Sequence, residues 1–135
     1  MRAAILLLFL LVGCIGDDVF YHQDGSFQYL PVGAERVNPE LTQWIAFDSV
    51  STCAGIFSPD PNEITWYRAR AIVEHPTGRR IAGLANFNHN RIWIDEAWWG
   101  DVGVNGHEIL HLLHGPGIRE GHPEFDRCDP MTNRR

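Results

Sequence analysis

Hydrophobic residues recur at helical spacing in two parts of the chain. The first part follows residues 38–40, Asn-Pro-Glu, a typical helix start, and predicts a helix over about residues 39–51. Its hydrophobic members are Leu41, Trp44, Ile45 and Phe47. The second part predicts a helix over about residues 104–114, which Gly115 and Pro116 end.

Three strands are predicted from β-branched and aromatic residues, over about residues 64–74, 81–87 and 91–94. With the helices they indicate an α+β fold: a small, twisted, mostly antiparallel sheet packed with the two helices. Trp93, Trp98 and Trp99 are expected in the core or in the wall of a cleft.

The composition excludes several classes of protein. The chain has 135 residues, of which 44% are hydrophobic, and this suits one compact domain. Its net charge is −6 and all eleven basic residues are arginine, so nucleic acid is not an expected partner. No apolar run reaches about 18 residues, which excludes a conventional membrane-spanning helix.

The N-terminus is typical of an export signal. Arg2 precedes ten apolar residues, and residues 11–14, Leu-Val-Gly-Cys, resemble a bacterial lipobox. We expect residues 1–13 to be a signal peptide, Cys14 to carry a membrane lipid anchor, and residues 14–30 to be a tether. The main domain would span residues 31–135, at the cell envelope and preferably the outer membrane. An uncleaved anchor or a buried strand is the alternative for the apolar run.

Two cysteines remain beyond Cys14. In an exported chain, Cys53 and Cys128 are expected to form a disulfide. The alternative is that both thiolates bind a metal, but neither cysteine has a second cysteine at zinc-site spacing.

The candidate chemistry lies in the second helix, which contains His107-Glu108-x-x-His111. On a helical wheel, three histidines share one narrow stripe and the apolar residues lie opposite. Because His107 and His111 are one turn apart, both can bind one metal ion. Glu108 is then placed to take a proton from water at that metal.

A third protein ligand is needed, and the 24 residues after His111 offer several. We favour His122, which follows a Gly-Pro-Gly turn. His114 lies about 10.5 Å of helix rise from His107, which is far for a shared ion, so it is the alternative ligand or a residue of the cleft. Glu120 and Glu124 remain open.

These residues resemble the zincin metallopeptidases, and their layout is similar to the metzincin branch, with Met131 as the candidate for its methionine turn. The stricter pattern has Gly and His where this chain has His114 and Gly117. The resemblance implies a Zn²⁺-dependent peptidase in a small bacterial lipoprotein, with Glu108 as general base.

The resemblance also implies an edge strand that pairs with an extended peptide substrate, for which residues 83–87 are the candidate; an ordinary inner strand is the alternative. A monomer is expected. Two other functions remain open: a non-catalytic zinc-binding or interaction lipoprotein on the same scaffold, and a disulfide-stabilised structural module.

Overall fold

A computed structural model describes Phe20–Tyr21 and residues 28–134 of the chain. The fold is mixed α+β, as predicted, with two four-stranded sheets and three helices in these residues. The expected signal peptide and Cys14 lie outside the described residues. No helix within the described part has the length and apolar character needed to cross a bilayer.

The first sheet is antiparallel and has the strand order β1-β2-β5-β6. Its strands are β1 (Phe20–Tyr21), β2 (Gln28–Val32), β5 (Ala71–His75) and β6 (Arg80–Ile81). Some residues of the tether expected over residues 14–30 therefore belong to strands of this sheet.

The second sheet is mixed and has the order β3-β4-β8-β7. Its strands are β3 (Glu35–Val37), β4 (Thr65–Ala69), β7 (Gly83–Asn86) and β8 (Arg91–Asp95). β4 and β8 pair in parallel, while β7 pairs antiparallel with β8 and is an edge strand. Of the two alternatives for residues 83–87, the edge strand is therefore the observed one.

The prediction of one strand over residues 64–74 is wrong, because the chain changes sheets at Arg70. Trp66, Ala69 and Ile72 are all buried, and they are three residues apart. They do not share one core, however: Trp66 packs in one hydrophobic cluster, and Ala69 and Ile72 pack in a second one, which the chain reaches as it passes from one sheet to the other. The predicted strand 81–87 is divided in the same way at Ala82.

The helices are α1 (Leu41–Ala54), α2 (Val102–His114) and α3 (Pro123–Cys128). Both predicted helices are present, but α1 begins two residues later than expected. Its Gln43 side chain explains this start, because Gln43 Oε1 accepts the Glu40 backbone N–H at 2.8 Å. Gln43 Nε2 then donates to Asn105 Oδ1 of α2 at 3.0 Å, so the start of α1 is fixed by its neighbour.

The main core lies between the second sheet and the helices. Trp66 and Ile92 of the sheet, Ile109 and Leu110 of α2, and Phe125 of α3 are fully or almost fully buried in it. Trp99 belongs to the same core and Trp93 to a smaller cluster, as expected, but the expectation for Trp98 is wrong because its side chain is exposed. The core holds the apolar side of α2 against the sheet and leaves its histidines on the other side.

Cys53 and Cys128 lie at disulfide-bonding distance, as predicted, with their Cα atoms 5.7 Å apart. The bond joins the last turn of α1 to the last residue of α3, and 75 positions separate the two cysteines in the chain. The segment after α2 is therefore attached to the first helix.

Candidate metal centre

His107 and His111 lie one turn apart on α2, and their ring centroids are 4.9 Å apart. The helix begins at Asp101, whose carboxylate accepts the Val104 backbone N–H at 2.9 Å, and ends at Gly115, which has a positive φ of 68°. Burial of Ile109 and Leu110 fixes the rotation of this helix, so both imidazoles face a cavity.

A carboxylate from the tail after α2 completes the cluster. Glu120 Oε1 lies 2.9 Å from His107 Nε2 and 3.3 Å from His111 Nε2. Within the described part of the chain, these three side chains form the one group whose ligand atoms all lie within 4.8 Å of one another. Glu120, which the sequence left open, therefore lies where a third ligand is needed.

His122, the favoured third ligand, lies elsewhere. It is exposed and caps the start of α3, where its Nδ1 accepts the Glu124 backbone N–H at 3.2 Å. Pro123 in the first turn fits this role, because it lacks the N–H that a helix start leaves unpaired. Glu124 is also exposed, and neither residue belongs to the cluster.

His114 does not belong to the cluster either. Its ring packs against Phe125 with the centroids 6.0 Å apart, and its buried Nε2 has no hydrogen-bond partner among the described residues. Burial lowers the pKa of His114, which is consistent with a neutral ring that packs against the core.

Asp129, which the sequence did not point to, fixes the His107 ring through its second ring nitrogen. Its Oδ1 lies 2.9 Å from His107 Nδ1, and its side chain is almost fully buried. A histidine that binds a metal commonly gives its other ring nitrogen to a carboxylate, which fixes the ring and leaves Nε2 for the ion. In the sequence, Asp129 is only a single acid beside Cys128. Its position next to His107 depends on how the tail after α2 folds.

Two carboxylates on one imidazole require a positive charge between them. Burial lowers the pKa of His107, but the Glu120 and Asp129 hydrogen bonds and the nearby Glu108 charge outweigh this and raise its pKa to about 9. The hydrogen bonds to His107 and His111 hold the pKa of Glu120 well below its usual range. The two carboxylates therefore favour a positive charge between them, which here is the protonated His107 ring.

Glu108 points into the same cavity and is 7% exposed. Burial raises its pKa, while the positive charges of His107 and His111 act in the opposite direction. Gly83 on the edge strand leaves room for it, since a Cβ at Gly83 would lie 2.6 Å from Glu108 Oε1. The carboxylate therefore lies directly against the backbone of β7.

The cavity in front of α2 has a volume of about 560 Å³, which is within the range of small-ligand sites. We call it the α2 cavity. It is bounded by the cluster, by β7, by Met131, and by Tyr29, Arg79 and Ile81 of the first sheet and its β5–β6 turn. Met131, the expected methionine turn, thus lies in the wall of the site.

The donor set fits zinc. Two ligands about 2.1 Å from a tetrahedral zinc ion are about 3.4 Å apart, close to the 3.3 Å between His111 and Glu120. The 2.9 Å between His107 and Glu120 is shorter, as a direct hydrogen bond requires. Three nitrogen and oxygen ligands beside an open cavity are typical of a catalytic zinc site.

Comparison with models of known protein families, with curated proteins and with solved structures found no match to this chain. Function is therefore inferred from the chemistry of these side chains.

Proposed function

We propose that the protein is a zinc-dependent peptidase on a zincin-like scaffold, with His107, His111 and Glu120 as the metal ligands and Glu108 as the general base. One observation carries the proposal: the three candidate ligand atoms converge in a cavity that also contains a buried carboxylate and an edge strand. Glu120 replaces His122 as the proposed third ligand.

Zinc held there would activate water as the nucleophile and polarise the carbonyl group of the substrate. Glu108 takes the proton of the attacking water and passes it to the leaving amine. Its burial suits this task, because a raised pKa makes the carboxylate a stronger base.

The edge strand β7 supplies the binding surface for an extended peptide. Among the described residues it pairs only with β8, so the backbone groups of its other side can hydrogen-bond to the main chain of a substrate. Because the Glu108 carboxylate lies against Gly83, a peptide paired with β7 has its backbone beside the general base. Main-chain pairing positions the scissile bond without requiring a particular side chain.

The first test separates metal binding from turnover. Zinc stoichiometry and cleavage of a peptide library are measured for the wild type and for Glu108→Gln. We expect Glu108→Gln to keep one zinc per chain and to lose at least about 100-fold in cleavage rate. A Glu108→Gln protein that cleaves as fast as the wild type contradicts the mechanism, and zinc binding with no cleavage by the wild type favours the non-catalytic alternative.

The second test assigns the ligands. Glu120→Ala and His111→Ala are expected to weaken zinc affinity strongly, as measured by competition with a chelating dye. His122→Ala is the matched control, because its side chain lies in the same tail outside the cluster. A loss of zinc in His122→Ala together with normal affinity in Glu120→Ala would return the third-ligand role to His122.

We also propose that Cys14 anchors the protein in the membrane of the cell envelope, as the lipobox-like residues imply. Labelling of expressing bacteria with a radioactive fatty acid tests this. The wild type should carry the label and Cys14→Ser should not, and equal labelling of both would contradict the anchor.

A further inference from the structure

The charged side chains of the α2 cavity fall into two groups. The acids, Glu108 and Glu120, both belong to the proposed centre. The cations that line the cavity beside the two histidines are Arg79 and Arg119. Outside the proposed centre, the charged side chains that line the cavity are thus both positive, in a chain with 17 acids and a net charge of −6.

Arg79 is held at the rim of the cavity by a buried acid. Its Nη2 donates to Glu74 Oε2 at 2.8 Å, and Glu74 also accepts the Thr77 hydroxyl at 2.9 Å. The Glu74 side chain is 7% exposed, whereas that of Arg79 is 68% exposed. One edge of the guanidinium is therefore fixed, and with respect to the described residues its remaining N–H donors are available to a ligand.

Tyr29 links the Arg79 side of the cavity to the proposed metal centre. It is the cross-strand partner of Glu74 and lines the cavity. Tyr29 and the proposed zinc ligand Glu120 thus line the same cavity. Ile81 and Leu84 also line the cavity and give it apolar surface.

We propose that Arg79 binds a carboxylate of the substrate, so that the preferred substrates are short peptides with a carboxylate close to the scissile bond. The term substrate rests on the proposed peptidase function, but binding of a carboxylate at this site does not require turnover. The carboxylate is either the C-terminus of the peptide or an acidic side chain. Guanidinium groups suit both, because they bind carboxylates through charge-assisted hydrogen bonds.

The test measures peptide binding by calorimetry to the zinc-loaded Glu108→Gln protein. Three N-acetylated tetrapeptides are compared: one with a free C-terminal carboxylate, its C-terminal amide, and an amide that ends in Glu. We expect the free acid to bind about tenfold more tightly than the amide. Tight binding of the Glu amide as well identifies any nearby carboxylate as the recognised group, and weak binding identifies the C-terminus.

Arg79→Gln should reduce the preference for the acid to near twofold or less and leave the affinity for the amide unchanged. Arg68→Gln is the matched control, because Arg68 is also paired with a glutamate but does not line this cavity. Equal affinity for acid and amide, or a preference that survives Arg79→Gln, would overturn the inference. A carboxylate preference in a wild type that cleaves nothing would support the inference and contradict the peptidase function.

Discussion

His107 connects the two parts of the candidate centre, which are α2 and the tail that follows it. α2 supplies its ring, and the tail supplies an acid to each of its nitrogens. When Glu120 binds the metal together with His107 Nε2, Asp129 is the group that still holds the ring in place. Asp129 is therefore a positioning residue, and its effect should appear in metal affinity.

We expect Asp129→Asn to weaken zinc affinity by about 10- to 100-fold, because an amide holds the imidazole less strongly than a carboxylate. Competition with a chelating dye measures this. Glu124→Gln removes one negative charge from the same tail at an exposed position outside the cluster, and it should leave the affinity unchanged. Equal losses of zinc affinity in both variants would contradict this role, because the overall charge of the tail would then explain the effect.

Gly83 gives a second prediction at the same scale. In Gly83→Ala the new Cβ would overlap the Glu108 carboxylate, which must then move. Since misplacement by about 1 Å can cost 100-fold in rate, we expect kcat to fall roughly 10- to 100-fold with zinc affinity unchanged. Gly100→Ala is the control, because a Cβ at Gly100 meets no atom within 4 Å. A Gly83→Ala protein with wild-type kcat would mean that Glu108 does not act from this position.

Among the elements, α1 and α2 were predicted well, whereas α3 and the sheets were not. α2 follows from local signals, namely the single apolar side and the Gly115 end, so its histidine pair and Glu108 could be placed from the sequence. The bend at Arg70 could not, because it results from pairing with strands that lie far along the chain. For the same reason Glu120 could not be chosen over His122: the choice depends on how the tail folds back.

The two sheets are connected by the ion pair between Arg80 of β6 and Asp95 of β8, and Arg80 also donates to the Arg70 carbonyl oxygen at 2.8 Å. Asp95 is fully buried. Burial alone raises its pKa, but hydrogen bonds from Arg80 and from the Ala97 backbone N–H outweigh this and hold the pKa of Asp95 below its usual range. The ionised carboxylate therefore stabilises the folded protein.

This direction fixes the dependence on pH. A carboxylate with a lowered pKa contributes its full stability above the unfolded value of about 3.9 and loses it as the pH falls through the folded value. We expect Asp95→Asn to lower the melting temperature by several degrees at pH 7, and this difference to shrink below about pH 4. Asp48→Asn, at an exposed position of α1, is the control. A difference that grows on acidification would contradict the ion pair.

At the scale of the whole molecule, the tail after α2 carries half of the centre. It contributes Glu120, Asp129 and Met131, and its Phe125 contacts the rings of both His107 and His111. The tail is held by burial of Phe125, by the pair between Arg134 and Asp101, and by the disulfide between Cys53 and Cys128. Cys128 directly precedes Asp129, so the bond lies next to the group that positions His107.

The final prediction concerns this attachment. A cross-link between positions 75 apart stabilises the fold by roughly 4 kcal/mol in the chain-entropy model. Without it, the tail opens more often and the two α2 histidines lose their partners. We expect reduction by a dithiol, or the double change Cys53→Ser and Cys128→Ser, to weaken zinc affinity and lower the melting temperature, while circular dichroism still reports folded helices.

Cys14→Ser is the control, because it removes a cysteine and leaves the pair intact. Added zinc separates two explanations: if the bond acts by holding the tail at the metal, saturating zinc should restore part of the lost melting temperature, since a ligand that binds only the folded state stabilises it. Unchanged zinc affinity in the reduced, folded protein would show that the tail holds Glu120 and Asp129 in place without the disulfide, leaving Phe125 and the Arg134–Asp101 pair as sufficient anchors.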